Sequence, residues 1–247
     1  SVLGNGGDGV LAVSTAGGVT ANVDLVTGSQ SGVIASGVTN VSVTATDTVT
    51  GTAAEGIYGL STTGGVTVVA IDVSGGNNGI VALGDLDVSV TSTGVVTGTA
   101  GDGVNAGSIS GGVTVAVVDV TGGVNGVVAD GDLDVSVTST GVINGLGGAG
   151  VSAFSNSGGV TVSVADVTGA TDGVIADGAN DVSVTATGLV TGNGGNGIFA
   201  GSATGGVTVS AVDVTGSTNG ITAGAPGDIL ITTTGSVLGS GGDGVLA

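Results

Sequence analysis

Short stretches in which apolar and polar residues alternate run along the whole chain. In the segments 113–115 and 135–137, for example, valines flank Thr114 and Ser136 at every second position. A period of two places successive side chains on opposite sides of a β-strand, so the valines should point inward and Thr114 and Ser136 outward. No stretch has the 3.6-residue period of an amphipathic helix. The pattern therefore predicts an all-β protein.

These stretches belong to a repeat of 47 residues. Gly-Gly-Val-Thr begins once in each repeat, at Gly17, Gly64, Gly111, Gly158 and Gly205. A shorter motif, Gly-[Val/Ile]-x-[Ala/Gly], recurs at spacings that alternate between 23 and 24 residues. Its glycines are Gly9, Gly32, Gly56, Gly79, Gly103, Gly126, Gly150, Gly173, Gly197, Gly220 and Gly244. The motif thus defines ten coils, two in each 47-residue repeat.

Each coil should contain three short strands separated by turns. In one coil these are expected around 127–129, 135–140 and 142–143, with Ala129 inward beside Val127. A further aliphatic residue follows seven positions after the valine that starts the second strand, as with Val120 or Val142. The Asp or Asn before many motif glycines predicts a turn with positive φ.

A coil of this length cannot bury an apolar face alone, so successive coils must stack strand on strand. The predicted fold is a right-handed parallel β-helix, or β-solenoid, because parallel crossover connections are almost always right-handed. Ten coils at about 4.8 Å each would span roughly 48 Å.

The chain stops at the phase of the repeat at which it starts. The segments 1–12 and 236–247 differ only at Asn5 and Ser240. We interpret residues 1–247 as one uncapped solenoid, a window of a longer repeat array.

The composition excludes several classes of function. The chain has 19 acidic residues and no Lys, Arg, His, Cys, Met or Trp. Without cationic side chains it cannot neutralise the phosphates of a nucleic acid. The usual zinc, haem and iron–sulfur ligands are absent, as are disulfides. The apolar runs are far shorter than the roughly 20 residues that span a bilayer, so we expect no membrane insertion.

No residue stands out as catalytic, cofactor-binding or metal-binding. Acid–base chemistry would rest on carboxylates or Tyr58, and active sites in β-helices interrupt the repeat, whereas this repeat is nearly uniform. We therefore expect no enzyme and no cofactor. Calcium is the one candidate ion, since Asp130, Asp132 and Asp134 alternate along one segment and would share a face of a strand. A solvated turn is the alternative interpretation of the same three residues.

Two polar columns, meaning equivalent positions in successive coils, persist along the chain. The first consists of Asn40, Asp87, Asp134, Asp181 and Asp228, and it is expected at a turn or at the start of a strand. The second consists of Asp72, Asp119, Asp166 and Asp213, with Gly94, Gly141, Gly188 and Gly235 expected at the same place in the alternate coils. An exchange between Asp and Gly indicates a corner.

Outward threonines form a third regular feature. The Thr-x-Thr pairs are Thr91 with Thr93, Thr138 with Thr140, Thr185 with Thr187 and Thr232 with Thr234, and Thr44 and Thr46 extend the column. Regular threonine arrays can order water, as in ice-binding proteins, although Ala116 and Val118 should interrupt this array in alternate coils. High β-propensity is the alternative reason for these threonines. Tyr58 and Phe199 occupy the variable position of the glycine motif and should also face outward.

The segments 101–122 (GDGVNAGSISGGVTVAVVDVTG) and 131–145 (GDLDVSVTSTGVING) resemble passenger domains of bacterial autotransporters and filamentous-haemagglutinin-like adhesins. The resemblance implies secretion across the outer membrane, display on the bacterial cell surface, and a role in adhesion, aggregation or matrix formation. We expect a structural extracellular filament or stalk that self-associates head-to-tail or laterally. The alternative is a binding module for a host surface or for ice. Divalent cations are candidate partners, because the 19 negative charges repel one another.

Overall fold

Short parallel strands are the only regular secondary structure of the chain, and there is no helix. A computed structural model describes all 247 residues and contains 30 strands. Each coil contributes one strand to each of three faces, which we number in chain order within a coil. The chain has no helix that could cross a membrane.

The strands of each face follow one another at intervals of one coil. Face 1 consists of β2 (Val10–Val13), β5 (Val33–Gly37), β8 (Ile57–Ser61), β11 (Ile80–Gly84), β14 (Val104–Ser108), β17 (Val127–Gly131), β20 (Val151–Ser155), β23 (Val174–Gly178), β25 (Ile198–Ser202), β27 (Ile221–Gly224) and β30 (Val245–Leu246). Face 2 consists of β3 (Val19–Val23), β6 (Val41–Ala45), β9 (Val66–Ala70), β12 (Val88–Ser92), β15 (Val113–Val117), β18 (Val135–Ser139), β21 (Val160–Val164) and β28 (Ile229–Thr233).

Face 3 consists of β1 (Val2–Gly4), β4 (Val26–Gly28), β7 (Val49–Gly51), β10 (Val73–Gly75), β13 (Val95–Gly98), β16 (Asp119–Gly122), β19 (Val142–Gly145), β22 (Asp166–Gly169) and β29 (Val237–Gly239). Two longer strands, β24 (Val182–Gly192) and β26 (Val207–Gly216), run through the corner and serve faces 2 and 3 together. Every strand pairing is parallel, which confirms the predicted parallel β-solenoid.

The register shows how a 23-residue and a 24-residue coil can stack. On face 1, Val104 pairs with Val127 and Val127 with Val151, which are the predicted offsets of 23 and 24. On face 2, Val113 pairs with Val135 and Val135 with Val160, so the offsets are 22 and 25. The two coil types therefore place their extra residues at different corners, and the strands stay aligned because the corners absorb the difference.

This redistribution corrects the expected position of one strand. The inward aliphatic residue of the face 3 strand lies seven residues after Val113, at Val120, but eight residues after Val135, at Ile143. Ile143 pairs with Val120 and is fully buried. Val142 points outward with 41% of its surface exposed, so the prediction that it repeats Val120 is wrong.

A narrow core of small aliphatic residues fills the space between the faces. The valines at 113, 115, 135 and 137 are buried, as are Ala129 and Ala176, which confirms their inward orientation. Thr114, Ser136, Thr138 and Thr140 face outward as expected. The core cluster contains 50 Val, Ala and Ile residues and no aromatic side chain. Each side chain rests on its equivalents in the coils above and below, which is why no large residue fits.

Glycine is required at the corners by close approach and not by backbone conformation. The Asp-Gly and Asn-Gly pairs lie in turns between strands, as predicted, but no residue of the chain has positive φ. A Cβ added to Gly32 would instead lie 2.5 Å from Val49 Cγ1 and 2.6 Å from the Gly56 carbonyl oxygen. The other motif glycines within the stack have equivalent neighbours, because the chain passes here between a core valine or isoleucine and the next coil.

Adjacent residues test this register directly. Ile143→Ala should lower the free energy of unfolding by about 2 to 5 kcal/mol, because it opens a cavity in a core that is closed by stacked coils. Val142→Ala should change it by less than about 0.5 kcal/mol, since this side chain is largely in water. Thermal or denaturant unfolding of the two variants measures the difference. Equal losses would contradict the assigned register.

Candidate functional site

The polar residue that precedes the face 2 strand in alternate coils links that coil to the next one. The side-chain Oδ1 accepts a hydrogen bond from a glycine N–H one coil further on, at 2.8 to 3.0 Å. These pairs are Asn40 with Gly65, Asp87 with Gly112, Asp134 with Gly159 and Asp181 with Gly206. The predicted role of this column, which includes Asp228, at the start of a strand is thereby confirmed.

The second aspartate column lies at the corner between faces 2 and 3. Its Oδ1 atoms accept backbone N–H groups of the next coil, all at 2.8 Å. The pairs are Asp72 with Val95, Asp119 with Val142, Asp166 with Leu189 and Asp213 with Ser236. The predicted corner role is confirmed.

The glycines of the alternate coils do not occupy the same position as these aspartates. Asp166 pairs in register with Val142, which places Gly141 one residue earlier. A Cβ on Gly141 would overlap Asp119 Oδ1, and Gly94, Gly188 and Gly235 meet Asp72, Asp166 and Asp213 in the same way. Glycine is therefore needed beside the carboxylate, not in place of it.

A third polar column, at the corner between faces 3 and 1, was missed in the sequence. Asn125 donates both its backbone N–H and its Nδ2 to Asp102 Oδ1, at 3.1 and 2.9 Å. Asn196 does the same to Asp172 Oδ1, at 2.7 and 3.1 Å. The signal was the Asp or Asn before many of the motif glycines, which was interpreted as a turn. In a chain without cations, these amides supply the donors that a carboxylate needs.

A serine column at the end of the face 1 strands was also missed. Each Oγ donates to a carbonyl oxygen of the preceding coil at 2.6 to 2.7 Å and accepts a glycine N–H of its own coil at 2.9 Å. These serines are Ser61, Ser108, Ser155 and Ser202. Their spacing of 47 residues was visible in the sequence, but only the register shows that glycines 37, 84, 131 and 178 occupy the place in the other coils.

The proposed calcium triplet does not share one face of a strand. Asp130 lies on the outside of β17, whereas Asp132 and Asp134 lie in the following turn. Asp132 accepts the Ser157 hydroxyl at 2.9 Å, and Asp134 is engaged with Gly159. No group of three acidic residues anywhere in the chain is arranged to hold a metal ion. The solvated turn therefore describes this segment better.

Two hydroxyl columns run along the outside of faces 2 and 3, and the second is broken once, at Asn144. The first consists of Thr20, Ser42, Thr67, Ser89, Thr114, Ser136, Thr161, Ser183 and Thr208. The second consists of Thr27, Thr50, Ser74, Thr97 and Thr121, then, beyond Asn144, of Thr168, Thr191 and Thr215. The expected interruption of the Thr138 column occurs at Val69 and Ala116, but Ser163 and Ser210 continue the column in the later coils. The two hydroxyl columns described above were not predicted.

The aromatic side chains all lie on the outside of face 1. Tyr58 and Phe199 alternate with buried neighbours along their strands, which confirms their outward orientation. Phe154 is also outward, with 37% of its surface exposed. The chain contains no other aromatic residue. The glycine motif already placed Tyr58 and Phe199 at equivalent positions, whereas Phe154 lies outside that position and was not predicted.

The interior offers no unpaired polar group around which a site could be built. Every buried side-chain nitrogen or oxygen has a hydrogen-bond partner. The chain matches no protein-family model, no curated protein and no solved structure. The candidate functional features are therefore the outer faces and the polar columns at the corners.

The strand-start column can be tested at Asp134. Asp134→Ala should lower the free energy of unfolding by about 1 kcal/mol, because the Gly159 N–H loses its acceptor. Asp134→Asn should preserve stability, since the asparagine Oδ1 can accept the same hydrogen bond. Asn40, which belongs to the same column, already accepts this bond from Gly65. Thermal unfolding at matched ionic strength compares the two. A larger loss in the Asn variant than in the Ala variant would refute the hydrogen-bonding role.

Proposed function

We propose that this chain is a structural segment of an extracellular or bacterial cell-surface filament or stalk and that it performs no catalysis. The observation that carries the proposal is that the polar side chains at the corners are used to join one coil to the next. Three kinds of contact recur along the chain, as at Asp134, Asp119 and Asp102, and the first two recur at intervals of 47 residues. A molecule whose repeats make the same contacts is suited to extending a rod.

The resemblance to autotransporter passengers and filamentous-haemagglutinin-like adhesins supports the same role. It suggests surface display, and in such proteins a β-solenoid holds functional parts away from the cell. The nearly uniform repeat supports a stalk more than a receptor-binding tip. Stacked coils can continue head-to-tail, because the edge of a parallel sheet presents unpaired N–H and C=O groups. Divalent cations are proposed as secondary partners that reduce repulsion among 19 carboxylates.

Electron microscopy of the producing cells tests this role. An antibody against the 47-residue repeat should label uniform filaments along their length, because every repeat would carry the same epitope. A pre-adsorbed antibody serves as the control for background labelling. Label restricted to the tips of short projections would refute the filament and favour an adhesin for a host surface. Label only on compact protein released from the cells would refute both surface roles.

The hydroxyl column on face 2 favours a second candidate, in which face 2 orders water and binds ice. Hydroxyls recur there in successive coils from Thr20 to Thr208 at about 4.8 Å along the solenoid, and Leu230 takes the position in the next coil. Residues of the Thr138 column stand beside them, so the face carries two columns in many coils. A regular array of this kind presents evenly spaced donors and acceptors to a water layer.

Removing hydroxyls without changing strand propensity separates this candidate from the filament. Thr114→Val with Thr138→Val should abolish any change in ice-crystal shape that the parent protein causes, because both columns are interrupted. Val128→Ala on face 1 is the matched control and should leave the effect intact. Crystal shape is observed under a microscope at micromolar protein concentration. An inactive parent protein, or an active double variant, would reject ice binding through face 2.

A further inference from the structure

The outside of face 1 differs in chemistry from the other two faces. Its first outward column is largely apolar and consists of Leu11, Ile34, Tyr58, Val81, Asn105, Val128, Ser152, Ile175, Phe199, Thr222 and Leu246. The second column adds Leu60, Leu83 and Phe154. Faces 2 and 3 carry mainly hydroxyl groups at the corresponding positions. Face 1 therefore carries the most apolar residues at the outward positions of its strands, and Val81 among them is buried.

Charge is also unevenly distributed around the rod. Of the 19 acidic residues, only Asp130 and Asp177 point outward from the strands of face 1. The others lie at or beside the three corners, where most of them accept hydrogen bonds from the next coil. Two negatively charged rods therefore meet the least electrostatic repulsion when they approach through a face and not along the corners.

The size of face 1 is sufficient for a stable interface. Eleven strands at about 4.8 Å give a length of about 50 Å, and five residues at about 3.3 Å give a width of about 16 Å. The product, about 800 Å², equals the area that each partner typically contributes to a stable protein–protein interface.

We propose that the outside of face 1 is the surface through which two copies of this chain pack side by side. The inference deepens the proposed filament, on which it rests, by naming the face along which filaments would associate laterally. A second copy is the partner whose strands recur at the same spacing, so contacts made by one coil are repeated by the next. It also needs no cationic group, which the chain does not have.

The surface relief of face 1 is compatible with self-packing. Leu60, Leu83, Gly107 and Ile109 line a shallow groove of about 350 Å³ together with Asp130, and the groove is open because Gly107 has no side chain. Phe154 projects from the same face two coils further along. A face that contains both a groove and a projecting aromatic ring can be complementary to itself, as a symmetric dimer interface requires.

Matched charge substitutions on two faces test the proposal. Val128→Asp with Ile175→Asp places two carboxylates on face 1, whereas Thr138→Asp with Thr185→Asp adds the same charge to face 2 of the same coils. Light scattering or sedimentation should show association of the parent protein that strengthens with monovalent salt. The face 1 variant should associate about 100-fold more weakly, because it would bury two carboxylates without partners in addition to Asp130 and Asp177, which face 1 already carries. The face 2 variant should behave like the parent protein.

Three controls make the result decisive. Circular dichroism should show the same β content in all the proteins, and association should persist in EDTA. Association that depends on calcium would overturn the proposal, since cations bridging the corners would then explain it. A face 1 variant that associates as strongly as the face 2 variant, or a parent protein that stays monomeric, would overturn it as well. Single rods of unchanged length in electron micrographs of the face 1 variant would show that filament formation survives independently of lateral packing.

Discussion

The register of one coil on the next is the constraint on which the rest of this structure depends. Each strand has its backbone partners only in the coils above and below, so every N–H and C=O of a strand requires the neighbouring coil to be in phase. Two coil types of 23 and 24 residues satisfy this because the difference is absorbed at the corners. The same constraint limits the size of the core residues, because each side chain must fit between the equivalent side chains of the coils above and below.

A chain with 19 carboxylates and no cationic side chain must satisfy those carboxylates in another way. The structure uses backbone N–H groups at Asp119 and Asp134, and an asparagine amide as well at Asp102. These contacts join successive coils, so the charged groups also hold the register. Because the aspartates of two columns occur in alternate coils, like charges in a column are about 9.6 Å apart and not about 4.8 Å. The corners can thus be both acidic and stable.

The sequence was sufficient to predict the fold but not the details that depend on pairing between coils. Alternation identified the inward valines, and the spacing of glycines identified the coils. It could not show that Ile143 and not Val142 continues the Val120 column, because both are aliphatic and only the pairing distinguishes them. For the same reason Gly141 was placed one residue too far along. Positive φ was expected from Asp-Gly pairs because steric contact with another coil is not visible in a local motif.

The rod divides its surface into parts with different chemistry. The corners carry the acidic groups and hold the coils in register, faces 2 and 3 present hydroxyls to water, and face 1 presents aliphatic and aromatic side chains. A structure that needed only to be a soluble spacer would have no reason to concentrate its aromatic residues on one side. Stability along the rod comes from pairing between coils, so it does not depend on face 1 being exposed or covered. The outward residues of face 1 are therefore available for contacts with other molecules. Such contacts best explain why these residues are apolar.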